Sequence, residues 1–204
     1  MKPDIVLTRL EDYRAPEFAI DRVHLDFRLE PSATRVVATL SLRRVRGAAP
    51  LHLDGDELRL IGATLDGKAL QPGDYEAGAD RFILASPPAG PFELVLETEI
   101  NPTANTQLMG LFRSGAAYCT QCEAEGFRRI TYFLDRPDVL SVYTTRIEAR
   151  KSEAPILLGN GNPAEAGDIP GTDRHYAIWD DPHPKPSYLF AIVAGDLGAI
   201  HDTF

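Results

Sequence analysis

The segment Tyr118-Cys119-Thr120-Gln121-Cys122-Glu123-Ala124-Glu125-Gly126-Phe127-Arg128-Arg129 gathers two thiols, an amide, two carboxylates and two guanidinium groups into twelve residues. Cys119 and Cys122 form a Cys-x-x-Cys, the spacing of a redox dithiol or of half a zinc site. A dithiol of that kind belongs at a helix start within a βαβ unit, and the flanking pattern is not of that type. A zinc site needs two more ligands in a chain with only two cysteines, and His175 and His183 lack ligand-pair spacing. Two buried thiols acting as small apolar side chains is the third reading. Gln121 and Glu123 stand two residues apart, so an extended backbone puts both side chains on one face. Such a pair can hold a cation, and its charge-assisted contact to a primary ammonium is about twice as strong as a neutral one. The alternative is a surface turn in which Glu123 pairs with Arg128 or Arg129.

Other catalytic signatures do not occur. His24, His52, His175, His183 and His201 are followed by Leu, Leu, Tyr, Pro and Asp, so there is no His-Glu-x-x-His to place two imidazoles and a base on one helix face. No Gly-x-Ser-x-Gly elbow, Walker phosphate loop or Gly-x-Gly-x-x-Gly is present. Asp180-Asp181-Pro182-His183-Pro184-Lys185-Pro186 reads as a proline-rich turn with solvated acids.

The elements that must position the central segment are strands. Val23, Leu25, Phe27 and Leu29 alternate with His24, Asp26, Arg28 and Glu30, the period of a strand with one buried face. Val36, Ala38, Leu40 and Leu42 form a second such face. Phe92, Leu94, Leu96, Thr98 and Ile100 form a third, and Tyr143, Thr145, Ile147 and Ala149 a fourth. Shorter apolar runs lie at 51–53, 58–61, 82–84, 175–179 and 188–194. Turn clusters such as Asp54-Gly55-Asp56, Asp66-Gly67-Lys68 and Gly159-Asn160-Gly161-Asn162-Pro163 separate these runs. The central segment interrupts the alternation. Helical periodicity is confined to one expected turn at 136–140, with Asp135 as its cap and Pro137 near its first position. The expectation is an all-β chain, an antiparallel β-sandwich or layered β-sheet, forming one domain over 1–204.

The 204 residues are 44% hydrophobic and 25% charged, a globular composition that buries roughly 70% of the unfolded surface without a staple. With 21 Lys plus Arg against 30 Asp plus Glu the net charge is -9, which disfavours nucleic acid and anionic membranes as partners. Residues 1–7 lack the apolar core of a secretory leader, so a reducing cytoplasm is the expected setting.

The run from Cys119 through Glu123, Arg128-Arg129-Ile130-Thr131-Tyr132-Phe133-Leu134-Asp135-Arg136-Pro137-Asp138 to Leu140 resembles the N-terminal domain of the bacterial aminopeptidase N family. So do Asp12-Tyr13-Arg14-Ala15-Pro16, Pro102-Thr103-Ala104-Asn105-Thr106, Leu158-Gly159-Asn160-Gly161-Asn162 and Trp179-Asp180-Asp181-Pro182. Members of that family are zinc-dependent exopeptidases in which a first β-domain packs on a thermolysin-like catalytic domain. The resemblance implies that the catalytic domain, with its Gly-Ala-Met-Glu-Asn and His-Glu-x-x-His motifs and the zinc, follows Phe204. No catalytic or metal-binding residue is then expected within these 204 residues, and the chain alone is expected to be inactive. By the same resemblance Gln121 and Glu123 bind the free α-amino group of peptide substrates, and a cis peptide stands near Glu123-Ala124. A cytoplasmic monomer is expected, its partners being peptides and its own catalytic domain. Two other classes stay open on the residues alone, a stand-alone β-sandwich binding module and a Cys-x-x-Cys redox protein.

Overall fold

The computed structural model describes residues 9–203. Residues 1–7, read above for a leader, and the boundary at Phe204 lie outside the described residues. Fifteen strands follow one another among them: β1 (Phe18–Arg28), β2 (Thr34–Arg44), β3 (Leu51–Asp54), β4 (Arg59–Leu65), β5 (Lys68–Ala69), β6 (Tyr75–Ala77), β7 (Arg81–Leu84), β8 (Phe92–Ile100), β9 (Gly110–Ser114), β10 (Ala117–Gln121), β11 (Leu140–Arg150), β12 (Ile156–Gly159), β13 (Asn162–Asp168), β14 (Arg174–Pro186) and β15 (Ile192–Gly195). An eight-stranded sheet runs β13-β14-β11-β1-β2-β8-β4-β5, a four-stranded sheet β12-β15-β10-β9, and a three-stranded sheet β3-β7-β6. The all-β, layered architecture matches the alternation. Its pairings are antiparallel except one: β1 runs parallel to β11, from Arg22 beside Val142 to Arg28 beside Glu148.

The alternating faces become the core. Leu25, Phe27, Val36, Ala38, Leu40, Leu94, Leu96 and Ile147 have no exposed surface, because β1, β2, β8 and β11 each turn one apolar face into the core. The opposite face carries an ion-pair lattice, with Arg146 3.0 Å from Asp26, Arg174 2.6 Å from Glu148 and Arg35 2.6 Å from Glu97. Asp66-Gly67 closes the β4–β5 hairpin with both residues at positive φ, as a two-residue turn matched to strand twist requires. At the centre the buried Phe127 ring meets Phe133 edge-on at 4.7 Å and Phe190 at 5.2 Å.

Three local expectations are corrected. No helical turn forms at 136–140, because Asp135 is already engaged by Arg128 and Ser187. Residues 188–191 are not strand. Ser187–Leu189 is a 3-10 turn, and Asn160 accepts from the Ala191 N–H at 2.6 Å, which delays β15 until Ile192. The proline-rich stretch 180–186 lies within β14 rather than in a turn. There Lys185 is buried, 2.7 Å from Asp181 and 3.9 Å above the Tyr143 ring, and burial lowers its ammonium below the usual lysine range. The central segment opens as strand β10 and leaves the alternating pattern beyond Glu123.

Candidate functional site

Strand β10 lies between β9 and β15 and carries the chain to Gln121, which sits opposite Gly110 of β9. Alternation continues one step past the strand. Gln121 and Glu123 are exposed while Cys122 between them is buried, so the two side chains point away from the core together. The Gln121 amide N–H donates to the Glu123 carbonyl at 3.1 Å, which ties one side chain to the backbone of the other. The Glu123-Ala124 peptide is cis, as the family resemblance implied.

Beyond Ala124 the chain folds back on itself. The Gly126 N–H donates to the Cys122 carbonyl at 2.9 Å, and the Arg129 N–H to the Gly126 carbonyl at 3.0 Å. Glycine is required at 126 by proximity. A Cβ there would press into the Gln121 carbonyl oxygen and stand 2.9 Å from Cys122 Cα. Gly110, at φ +71, is equally confined, since its Cβ would lie 2.7 Å from Arg129 Cβ. The two glycines let the loop, β9 and the 3-10 turn Phe127–Arg129 close to backbone contact.

Both arginines of that turn are engaged away from Glu123. Arg128 donates from its backbone N–H and its Nε to Asp135 Oδ2, at 3.1 and 3.0 Å. Arg129 pairs with Asp56 at 2.5 Å and also with Glu57. The Asp56 N–H donates to the Arg128 carbonyl at 3.0 Å, so the β3–β4 loop holds the turn by backbone as well. Burial raises the Asp54 carboxyl above the usual carboxylate range, and Arg128, 3.7 Å away, offsets part of that rise. The surface-turn alternative for Glu123 is therefore corrected: among the described residues its carboxylate makes no ion pair, although two guanidinium groups follow within six residues.

Cys122 belongs to the core, whereas Cys119 is only half-buried. Cys119 and Cys122 are both free, and burial, reinforced by the Asp135 charge, pushes the Cys122 thiol up to about 12. A redox dithiol requires the opposite shift. Among the described residues no three His, Cys, Asp or Glu side chains gather as a metal site would need. The zinc implied by the resemblance thus does not fit the residues of this segment, where a buried protonated thiol is a poor ligand. Sequence reasoning missed Gly126, Asp56, Glu57 and Ser187 as residues that set the loop, and it assigned Asp135 to the wrong turn.

The fold and this loop define a layered β-domain that presents an exposed Gln121/Glu123 pair beyond one strand end. A model of the peptidase M1 N-terminal domain matches residues 33–189, and the chain belongs to that family. It is 53% identical over 96% of its length to aminopeptidase N of Caulobacter vibrioides, and 46% identical over 95% to aminopeptidase N of Escherichia coli. It spans 22% of the length of each of these relatives. Legionella pneumophila aminopeptidase A, solved with aspartic acid, superposes with a TM-score of 0.88 at 33% identity, over 94% of this chain and 23% of that one. An M1 zinc metallopeptidase of Deinococcus radiodurans, solved with a Tyr-Ser-Ala substrate, shares the fold with a TM-score of 0.75 at 16% identity, over 88% of this chain and 42% of that one.

Proposed function

We propose that this chain serves as the amino-terminal domain of a longer, monomeric, cytoplasmic zinc aminopeptidase, and that Gln121 and Glu123 anchor the free α-ammonium of its peptide substrates. The observation that carries the reading is the state of Glu123. Its carboxylate is exposed and without an ion pair among the described residues, on a loop whose neighbouring arginines are all engaged with other acids. A carboxylate kept open in this way, beside an amide already oriented by its own backbone bond, suits a cationic ligand with several N–H donors. The zinc chemistry belongs to the domain expected after Phe204, and this chain's part is to bind and orient.

Recognition of the ammonium gives the exopeptidase rule a physical basis. With the amino terminus fixed, the peptide bond one residue away is the one presented for cleavage. An internal bond offers no ammonium and leaves the desolvated carboxylate unpaired, at a cost on the scale that separates cognate from non-cognate ligands.

In the longer protein Glu123→Ala is expected to lower kcat/KM on an alanyl chromogenic substrate by about 2–4 kcal/mol, roughly 30- to 900-fold. A loss below threefold would remove Glu123 from the site. Intact mass and zinc content of the native gene product test the wider reading. A product ending near Phe204 without zinc would make the chain a stand-alone binding module instead.

A further inference from the structure

We infer that Asp135, which lies buried behind the loop, is the positioning residue of the Gln121/Glu123 anchor. The inference rests on the anchor reading above. The Asp135 side chain has no exposed surface. Its Oδ1 accepts from the Ser187 hydroxyl at 2.5 Å, and its Oδ2 accepts from the Arg128 N–H at 3.1 Å and from Arg128 Nε at 3.0 Å. Its backbone carbonyl accepts from Arg128 Nη2 at 3.0 Å. Asp135 and Arg128 therefore clasp each other through three hydrogen bonds across seven residues of chain.

The turn that carries Arg128 cannot hold itself. It is three residues long, and no side chain of its own caps it. A single helical turn fixes several dihedrals for very few bonds. Asp135 supplies the missing acceptor from outside, as a charged group that strengthens each bond it receives. From that fixed turn the chain returns to the anchor in one closed step, through the Gly126 N–H on the Cys122 carbonyl, with Gln121 and Glu123 on either side of Cys122. The Arg128 guanidinium also lies 3.6 Å from Glu125 Oε1, which draws the outer limb of the same loop toward the turn. A displacement of about 1 Å at a binding group costs on the order of a hundredfold in rate, so loss of the Asp135 fastening, which the β3–β4 loop contacts on the far side of the turn do not replace, is transmitted to the ammonium site.

The test uses the full-length zinc enzyme and two competitive inhibitors with the same side chain, an amino-acid hydroxamate and its des-amino counterpart. Asp135→Asn is expected to weaken the amine-bearing inhibitor about tenfold or more and to raise KM for an alanyl substrate, the scale of a misplaced binding group. The des-amino compound is expected to keep its constant within about twofold. Constants unchanged from the parent enzyme for both inhibitors per active site, with only thermal stability lowered, would overturn the inference in favour of a purely structural Asp135. Should Asp135→Asn not fold, Ser187→Ala removes one of the three donors to the carboxylate. It is expected to shift the same inhibitor ratio in the same direction by a smaller factor, and an unchanged ratio overturns the inference. Glu123→Gln, measured in parallel, separates the two claims. If it abolishes the discrimination while Asp135→Asn and Ser187→Ala leave it intact, the positioning role alone fails. If it too leaves discrimination intact, the anchor reading fails and this inference with it.

Discussion

Gly126→Ala is expected to destabilise the chain by about 2–3 kcal/mol, and the structure shows where that sum comes from. Gly126 has φ −86° and ψ −18°, ordinary right-handed backbone. On conformational grounds alone alanine would therefore stabilise, by about 0.4–1 kcal/mol through the unfolded chain. Packing reverses the sign. The new Cβ would press into the Gln121 carbonyl oxygen and lie 2.9 Å from Cys122 Cα and 3.0 Å from Gly110 N. All three are backbone atoms, so no rotamer change relieves them, and overpacking of this kind costs about 1–3 kcal/mol. Opening the loop to make room loses the Gly126 to Cys122 hydrogen bond, about 1 kcal/mol more. Urea unfolding followed by the fluorescence of Trp179, the one tryptophan, measures the difference. Gly62→Ala is the control, since a Cβ there meets nothing within 4 Å, and it is expected to be neutral or slightly stabilising. A Gly126→Ala loss below about 0.5 kcal/mol, or one equalled by Gly62→Ala, would refute the close-approach argument.

Phe127→Ala removes a ring with no exposed surface that meets Phe133, Phe190 and Tyr143 edge-on; a loss of about 3–5 kcal/mol in urea unfolding is expected, and one below about 1.5 would mean the site collapses readily. Glu123→Ala is expected to leave the unfolding free energy within about 0.5 kcal/mol, because the side chain is exposed and makes no ion pair among the described residues; a larger change would show that the residue serves folding. Cys122 titrates near 9 when unfolded and at about 12 in the fold. Between those values the folded chain keeps a proton the unfolded chain has released, so stability falls as pH rises, by up to about 1.4 kcal/mol per pH unit. Cys122→Ala should flatten that slope around pH 9, where unfolded tyrosines are still mostly protonated, and an unchanged slope would contradict the burial of the thiol.

How much of this was legible in the sequence follows from how local each cause is. Strands β1, β2, β8 and β11 alternate because each has one dry and one wet face, so Val23-x-Leu25-x-Phe27 and Tyr143-x-Thr145-x-Ile147 declare themselves. Strand β13 does not, because it is an edge strand exposed along most of its length, with Pro163 in it. The β9–β10 hairpin left only the Ser114-Gly115 turn as a signal, with φ +59 at Gly115. The Gln121-x-Glu123 spacing was readable, whereas its surroundings were not. Asp135 has two turns within reach in sequence, and only the packing of Ser187, 52 residues away, directs it back to Arg128. Tyr188, Leu189 and Phe190 look like strand by composition, yet Asn160 captures the backbone there first.

The parallel pairing of β1 with β11 has a consequence for synthesis. Strand β1 can join β2 as soon as their hairpin emerges from the ribosome, but its other edge waits for β11, whose Arg146 lies 120 residues beyond Asp26. At roughly 5–20 residues per second that is a wait of about 6–24 s, with a long row of unpaired backbone groups in the centre of the future sheet. Arg22, His24, Asp26 and Arg28 line its outer face during that time. Charges that later sit in the ion-pair lattice are thus present in the nascent chain as a guard against joining the wrong neighbour, and the later-made β11 is the strand that relieves them.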